Sequence, residues 1–311
     1  MPTIIESSGL TKSYGRRRGI TDVTFAVDEG EVFGFLGPNG AGKTTTIRTL
    51  LGLLRPTAGR AMIFGLDVWA DAPRIHERLS YVGSDPAYLG ELSAGQQLDY
   101  VARLRGLPKG AWAPVAERLE LDPSVQIRKL SRGNRQKVGV VQAFMGDAPL
   151  IMLDEPSSGL DPLMQRVFLA LLSEVRAAGR TVFLSSHNLP EVERSCDRVG
   201  IIRDGRLIEI STIQALLAGH WRSVNLVLAE APPPGTFELP NVQVVSATAR
   251  DVHLLVRGDV NPFLRLIAPL DVKDISITTP EIEDIFLRFY DRADPMNADE
   301  NAGEETTEVG R

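Results

Sequence analysis

The sequence predicts a mixed α/β domain over residues 1–218 and a small α+β domain over 222–291. Three observations carry this. EVFGFLG (31–37), PLIMLD (149–154) and TVFLSS (181–186) are near-continuous apolar runs, suited to buried central strands. Amphipathic segments lie between them, as over 43–54, where Ile47, Leu50, Leu51 and Leu54 recur at helical spacing. Beyond about residue 220, short apolar stretches are separated by APPPG (231–235) and TARD (248–251), the mark of a smaller, turn-rich unit.

Within the first domain, residues 86–146 are poor in β-branched runs. Stretches such as QQLDYVARLRGL (96–107) make this a helical subdomain inserted between core strands. In the second domain, NLVLAE, VQVVSA and VHLLVRG read as strands, followed by a helix at NPFLRLIAPL and a strand at VKDISIT. A last helix, EIEDIFLRFY, is started by Thr279 as N-cap and Pro280 in the first turn. From residue 292 the chain is acidic and poor in apolar residues, which predicts disorder.

The 311 residues suit one large domain with a small companion. An apolar fraction of 43% and a charged fraction of 24% are those of a globular chain. The single cysteine, Cys196, excludes an internal disulfide framework and fits a reducing cytosol. A formal charge of −6 gives no electrostatic reason to expect nucleic acid as a partner. No apolar run reaches the roughly 18 residues of a membrane span. The nearest, 138–153, is broken by Gln142 and Asp147, and MPTIIESSGL lacks the make-up of a signal peptide. A cytosolic chain is expected, with any membrane role exerted through a partner.

GPNGAGKT (37–44) fits G-x-x-x-x-G-K-[ST] between a predicted strand and a predicted helix. Such a loop turns backbone N–H groups inward around phosphate oxygens, because Gly37, Gly40 and Gly42 present no Cβ. The helix N-terminus adds partial positive charge. Lys43 is expected on the β- and γ-phosphates, and the Thr44 hydroxyl on Mg²⁺. Nucleotide contacts are assigned to Gly37, Pro38, Asn39, Gly40, Ala41, Gly42, Lys43, Thr44 and Thr45. The motif arises by chance in about 1% of chains of this length, and less often in this strand–loop–helix setting.

LIMLDEP (150–156) ends a buried strand in two acids. Alone it is compatible with a strand running into a polar turn. Ligands of parallel sheets bind at the carboxyl ends of strands, so behind a phosphate loop Asp154 falls beside the Mg²⁺. Glu155, one residue on, is placed to polarise an attacking water. That acid points to hydrolysis.

These motifs, in this order, resemble the ATP-binding cassette (ABC) ATPases over residues 4 to about 218. The resemblance implies a P-loop NTPase cassette: a RecA-like core, an antiparallel β portion and the inserted helical subdomain. LTKSYG (10–15) is similar to the segment whose aromatic residue stacks on adenine, here Tyr14. SSGLDP (157–162) resembles the loop that meets an opposing subunit, with Asp161 as its aspartate. SSHNLPEVE (185–193) carries His187 where the family has its γ-phosphate-sensing histidine. LSRGN (130–134) stands where the family has LSGGQ, which closes over nucleotide held by a second copy. Ser131, Gly133 and Asn134 are the corresponding contacts, with Arg132 in place of a glycine and Asn134 in place of glutamine.

A further departure lies in LSYVGSDPAYLGELSAGQQL (79–98), where Ser84 occupies the place of the family's glutamine near Mg²⁺ and water. Gln96 and Gln97 are too far along and belong to a helix. Arg16, Arg17 and Arg18 read as a solvated loop.

The resemblance implies an exporter's ATPase subunit, a homodimer using ATP and Mg²⁺ on the inner membrane face through a separate permease. The single cassette followed by a small β-containing domain is similar to drug- and antibiotic-resistance exporter ATPases. Two alternatives stand beside it. One is a soluble single-cassette ATPase acting on ribosomes or DNA; the other is a nucleotide-gated binding module with weak hydrolysis.

Overall fold

A computed structural model describes residues 2–15, 17–218, 221–233, 235–248 and 250–278. The chain forms two compact units, Met1–Ile213 and Gln214–Arg311. In the first, β1 (Thr3–Tyr14) and β2 (Arg17–Asp28) pair antiparallel. Buried β3 (Val32–Leu36) leads through the glycine-rich loop into α1 (Lys43–Leu50). Next come β4 (Ala58–Ile63), β5 (Leu66–Asp67), α2 (Ala72–His76) and β6 (Leu79–Val82). Three helices follow: α3 (Ala94–Leu104), α4 (Ala113–Arg118) and α5 (Arg132–Phe144). The chain returns through β7 (Leu150–Asp154), α6 (Pro162–Ala177), β8 (Thr181–Ser186) and α7 (Leu189–Ser195). The hairpin β9 (Arg198–Arg203) and β10 (Arg206–Thr212) closes this unit.

Two sheets result, an antiparallel one of order β2-β1-β4-β5 and a larger one of order β10-β9-β3-β8-β7-β6. The larger sheet is parallel except where β10 meets β9. The three apolar runs singled out in the sequence are its middle strands. Phe25 of β2 packs against Phe33 and Phe35 of β3 and Phe183 of β8 with ring centroids 5.7–5.8 Å apart, and Phe183 in turn meets Phe33 and Phe35 at 5.8 and 5.4 Å. Offset and tilted aromatic pairs of this kind each contribute about 0.5–1.5 kcal/mol beyond simple burial.

The helix expected over 43–54 ends at Leu50. Leu51 is its C-cap, and Gly52 takes φ +66°, where an added Cβ would sit 2.3 Å from the Val68 carbonyl. A glycine in the left-handed region just past the last turn stops the helix, overriding the apolar spacing that runs on to Leu54. The arginine run is corrected too. Arg17 and Arg18 open β2 rather than forming a loop, because Arg17 pairs with Tyr14; Arg16 lies outside the described residues. Gln96 and Gln97 do lie on α3. Gln96 completes a capping box with Ser93, and buried Gln97 accepts a bond from the Leu89 N–H.

The second unit starts within α8 (Ile213–Ala218) and contains a four-stranded antiparallel sheet. Its strands are β11 (Trp221–Leu228), β12 (Val242–Ala247), β13 (Asp251–Arg257) and β14 (Val272–Thr278), in the order β12-β13-β11-β14. Helix α9 (Asn261–Ile267) packs Phe263 and Ile267 onto Val224, Leu226, Leu254 and Val256. The expected cap at Thr279 and Pro280, the helix EIEDIFLRFY and the acidic tail lie outside the described residues. Among the described residues no helix is long and apolar enough to cross a membrane.

Candidate active site

Strand order brings the motifs together. Leu36 at the end of β3 pairs with Ser186 of β8, and Asp154 at the end of β7 pairs with Ser185. The phosphate loop, the acid pair and His187 therefore leave three adjacent strand ends on one side of the sheet, as the crevice rule requires. Ser84 follows β6, the next strand over.

In the loop, Gly40 and Gly42 have φ +82° and +113°. A Cβ on Gly37 would stand 2.4 Å from the Ile202 carbonyl, so this glycine is needed for close approach. Helix α1 starts at Gly42 with no side-chain cap and no acid in its first turn, leaving its N–H groups to an anion. Lys43 is 5% exposed; its ammonium donates to the Gly37 carbonyl at 2.5 Å and the Pro38 carbonyl at 3.1 Å. It also lies 3.0 Å from Glu155 Oε1.

Glu155 takes φ +54°, a left-handed conformation that costs a non-glycine residue free energy. Several bonds hold it there. Its N–H donates to the carbonyl and Oγ of Ser185, and the Gln136 side chain donates to the carbonyls of Glu155 and Pro156. The carboxylate is thereby fixed between Lys43 and His187, whose Nδ1 is 2.5 Å from Oε2. Asp154 is 1% exposed; Oδ1 accepts from the Ser185 hydroxyl at 2.6 Å, and Oδ2 has no partner.

A cavity of about 300 Å³ lies over these groups, lined by Pro38, Asn39, Gly40, Gly42, Lys43, Thr44 and Thr45 from the loop. Ser84, Glu155 and His187 complete its wall, with Gly19, Arg132 and Ser158. Ala41 is buried beneath the loop, accepting from Gly205 N–H. Ser131 caps α5, its Oγ accepting from the Asn134 N–H. Gly133 touches the loop after the acid pair, where a Cβ would meet the Gly159 carbonyl at 2.5 Å. Asp161 caps α6, accepting from Leu163 and Met164 N–H. Ser131, Gly133, Asn134, Asp161 and Tyr14 are not among the lining residues, whereas Arg132 faces the cavity of its own chain. Tyr14 stands 43% exposed at the end of β1 beneath the Lys12 ammonium.

Gln136, Ser185 and Ser158 escaped sequence reasoning. Each looks ordinary in its own segment and gains a role only when β7, β8 and α5 are adjacent. Ser185 opens SSHNLPEVE and Ser158 lies within SSGLDP, segments singled out for other residues, while Gln136 follows LSRGN by two positions.

A phosphate loop and a strand-end acid pair, meeting on a parallel sheet with a helical insertion, define an ATP-hydrolysing cassette. The ABC transporter family model matches residues 20–158. The chain is 38% identical over 302 residues to the bacitracin transport ATP-binding protein BcrA of Bacillus licheniformis, covering 93% of this chain and 97% of the relative. It is 30% identical to the Nod factor export ATP-binding protein I of Ralstonia nicotianae, covering 93% and 94%. Among solved structures, an ATP-binding subunit of an ABC transporter superposes with TM-score 0.64 at 34% identity, over 69% of this chain and 92% of that one. This chain belongs to the ABC transporter ATP-binding proteins and is an ABC-type ATPase.

Proposed function

We propose that this chain is the ATPase subunit of an exporter, working as a homodimer beneath a separate membrane permease. The observation that supports it most is the Glu155 carboxylate set between Lys43 and His187 at the wall of the cavity. On binding ATP, Lys43 exchanges its present acceptors for phosphate oxygens. Glu155 is then free to accept the proton of an attacking water, with His187 holding the carboxylate in line. Tyr14, exposed at the end of its strand, is available to stack on adenine.

The residues present fit Mg²⁺. Asp154 Oδ2 is a buried oxygen left without a partner, next in the chain to Glu155 of the cavity wall, and Thr44 in that wall supplies a hydroxyl. When bound, the ion neutralises phosphate charge.

Ser131, Gly133 and Asn134 reach the nucleotide of the second copy, and Asp161 lies at the same dimer face. A cavity of about 240 Å³ lined by Leu51, Leu53, Leu79, Val101 and Arg105 offers the permease a partly apolar foothold on the first unit. The transport names of full-length relatives support an export role with a drug-like or other hydrophobic cargo. The chain then sits at the inner membrane face, with the second unit as an accessory domain. Purified from detergent-solubilised membranes, it is expected to bring a membrane-spanning subunit with it; recovery on ribosomes instead overturns the reading.

A second reading, a nucleotide-gated module with slow hydrolysis, draws on Ser84 in the cavity wall. Ser84→Gln preserves or raises turnover on the first reading, and abolished turnover contradicts this placement of the residue.

A further inference from the structure

Glu191 is a buried carboxylate outside the wall of the phosphate-loop cavity. It sits on α7 in the segment that leaves β8 through His187, and is 6% exposed. A small cavity of about 60 Å³ surrounds it, bounded by Ser157 and Gln165 on one side and by Asn188 and Arg194 on the other. Its Oε2 accepts from the Ser186 hydroxyl at 2.6 Å, and the Ser157 hydroxyl also stands close enough to favour the charged carboxylate. Ser186 Oγ in turn accepts from the Asn188 N–H at 2.9 Å, and Asn188 Oδ1 accepts from the Glu191 N–H at 3.3 Å.

In an ordinary capping box the third helical residue bonds directly to the backbone of the cap. Here the Ser186 hydroxyl is interposed, so the ring of bonds closes over the end of β8 as well as the start of α7. His187 is the one residue between the two pinned positions, and its Nδ1 is bonded to Glu155.

We propose that Glu191 is a positioning residue for ATP hydrolysis: through Ser186 it fixes the loop carrying His187 and so keeps the imidazole on Glu155. The inference rests on the roles given to Glu155 and His187 above. A carboxylate this deeply buried is costly to keep, which a helix cap alone does not require. Burial pushes its pKa up, opposed by the Ser186 and Ser157 hydroxyls, raised further by Glu155 and eased by His187. Arg194, on its own helix, is the other charged group at its cavity.

The test is steady-state ATPase kinetics of the purified full-length chain with Glu191→Ala, Glu191→Gln, Ser186→Ala and His187→Ala. A fluorescent ATP analogue measures binding separately. Glu191→Ala and Ser186→Ala are each expected to lower kcat about tenfold with nucleotide affinity within about twofold. Glu191→Gln, whose amide oxygen still accepts from Ser186, should recover most of the rate. The Glu191→Ala/His187→Ala double variant should be no slower than His187→Ala alone, because both act through one imidazole. Unchanged kcat in Glu191→Ala and Ser186→Ala, or losses that multiply in the double variant, overturn the proposal. If Glu191→Ala fails to fold, Ser186→Ala and Glu191→Gln decide it alone. Full activity in Glu155→Gln or His187→Ala overturns the underlying reading as well, and those controls tell the two failures apart.

Discussion

Lys43 Nζ lies 3.0 Å from Glu155 Oε1, so the cation of the phosphate loop and the acid at the end of β7 form a mostly buried ion pair beside β8. The pair has a consequence for binding. ATP brings negative phosphate toward Glu155 and must draw Lys43 away from it. Glu155→Gln removes both obstacles. It should bind ATP at least about threefold more tightly, while hydrolysis falls by about 10²–10⁴, the range for loss of a general base. Equilibrium binding and phosphate release on the same preparation check both halves, and weaker binding in Glu155→Gln contradicts the pairing argument.

A second prediction concerns packing under LSRGN. An added Cβ on Gly133 would meet the Gly159 carbonyl at 2.5 Å, backbone that has little room to yield. Gly133→Ala should cost about 1–3 kcal/mol and lower Tm by about 2–6 °C, with ATPase falling because the loop after Glu155 shifts. Gly90→Ala is the control: its Cβ finds only Arg128 Cβ at 3.6 Å, and Tm should move by less than about 1 °C.

What the sequence showed and hid follows from how far each feature extends along the chain. GPNGAGKT and LIMLDEP are contiguous, so the residue types alone carried their chemistry. The ends of elements were harder, since Gly52 halted α1 against an apolar pattern continuing to Leu54. Gln136, Ser185 and Glu191 were illegible for a different reason. Gln136 acts on Glu155 from 19 residues away and Ser185 from 30, contacts that exist only once β7 and β8 are neighbours and α5 lies against them. Arg132 was read only as a replacement for the family's glycine, with no contact assigned to it, yet it faces its own chain's cavity and donates to Ser158.

The single cysteine gives a prediction about pH. Burial pushes the Cys196 thiol from 9.0 up to about 12, despite help from Ser195. A folded pKa raised above the unfolded one contributes stability that is whole below about pH 9 and fades as pH climbs through about 12. In that window the folding equilibrium of the wild type should weaken by up to about tenfold more per pH unit than that of Cys196→Ala. At pH 8 a thiol reagent should label the chain only after denaturation. Rapid labelling of the native chain at pH 8 contradicts this burial.

The central claim is that each ATP site is completed by LSRGN from a second copy, and mixing two inactive variants tests it most directly. Glu155→Gln lacks the carboxylate proposed to accept the proton of the attacking water. Ser131→Asp keeps an acceptor for the Asn134 N–H while placing a negative charge where phosphate must approach. In a mixed dimer one site pairs an intact Glu155 with an intact Ser131 from the other chain. Equal mixtures should therefore recover about a quarter of the wild-type ATPase rate, since half the dimers are mixed and one of their two sites is whole. If Ser131 serves the nucleotide of its own chain, no intact site forms, and a mixture as inactive as its parts contradicts the account.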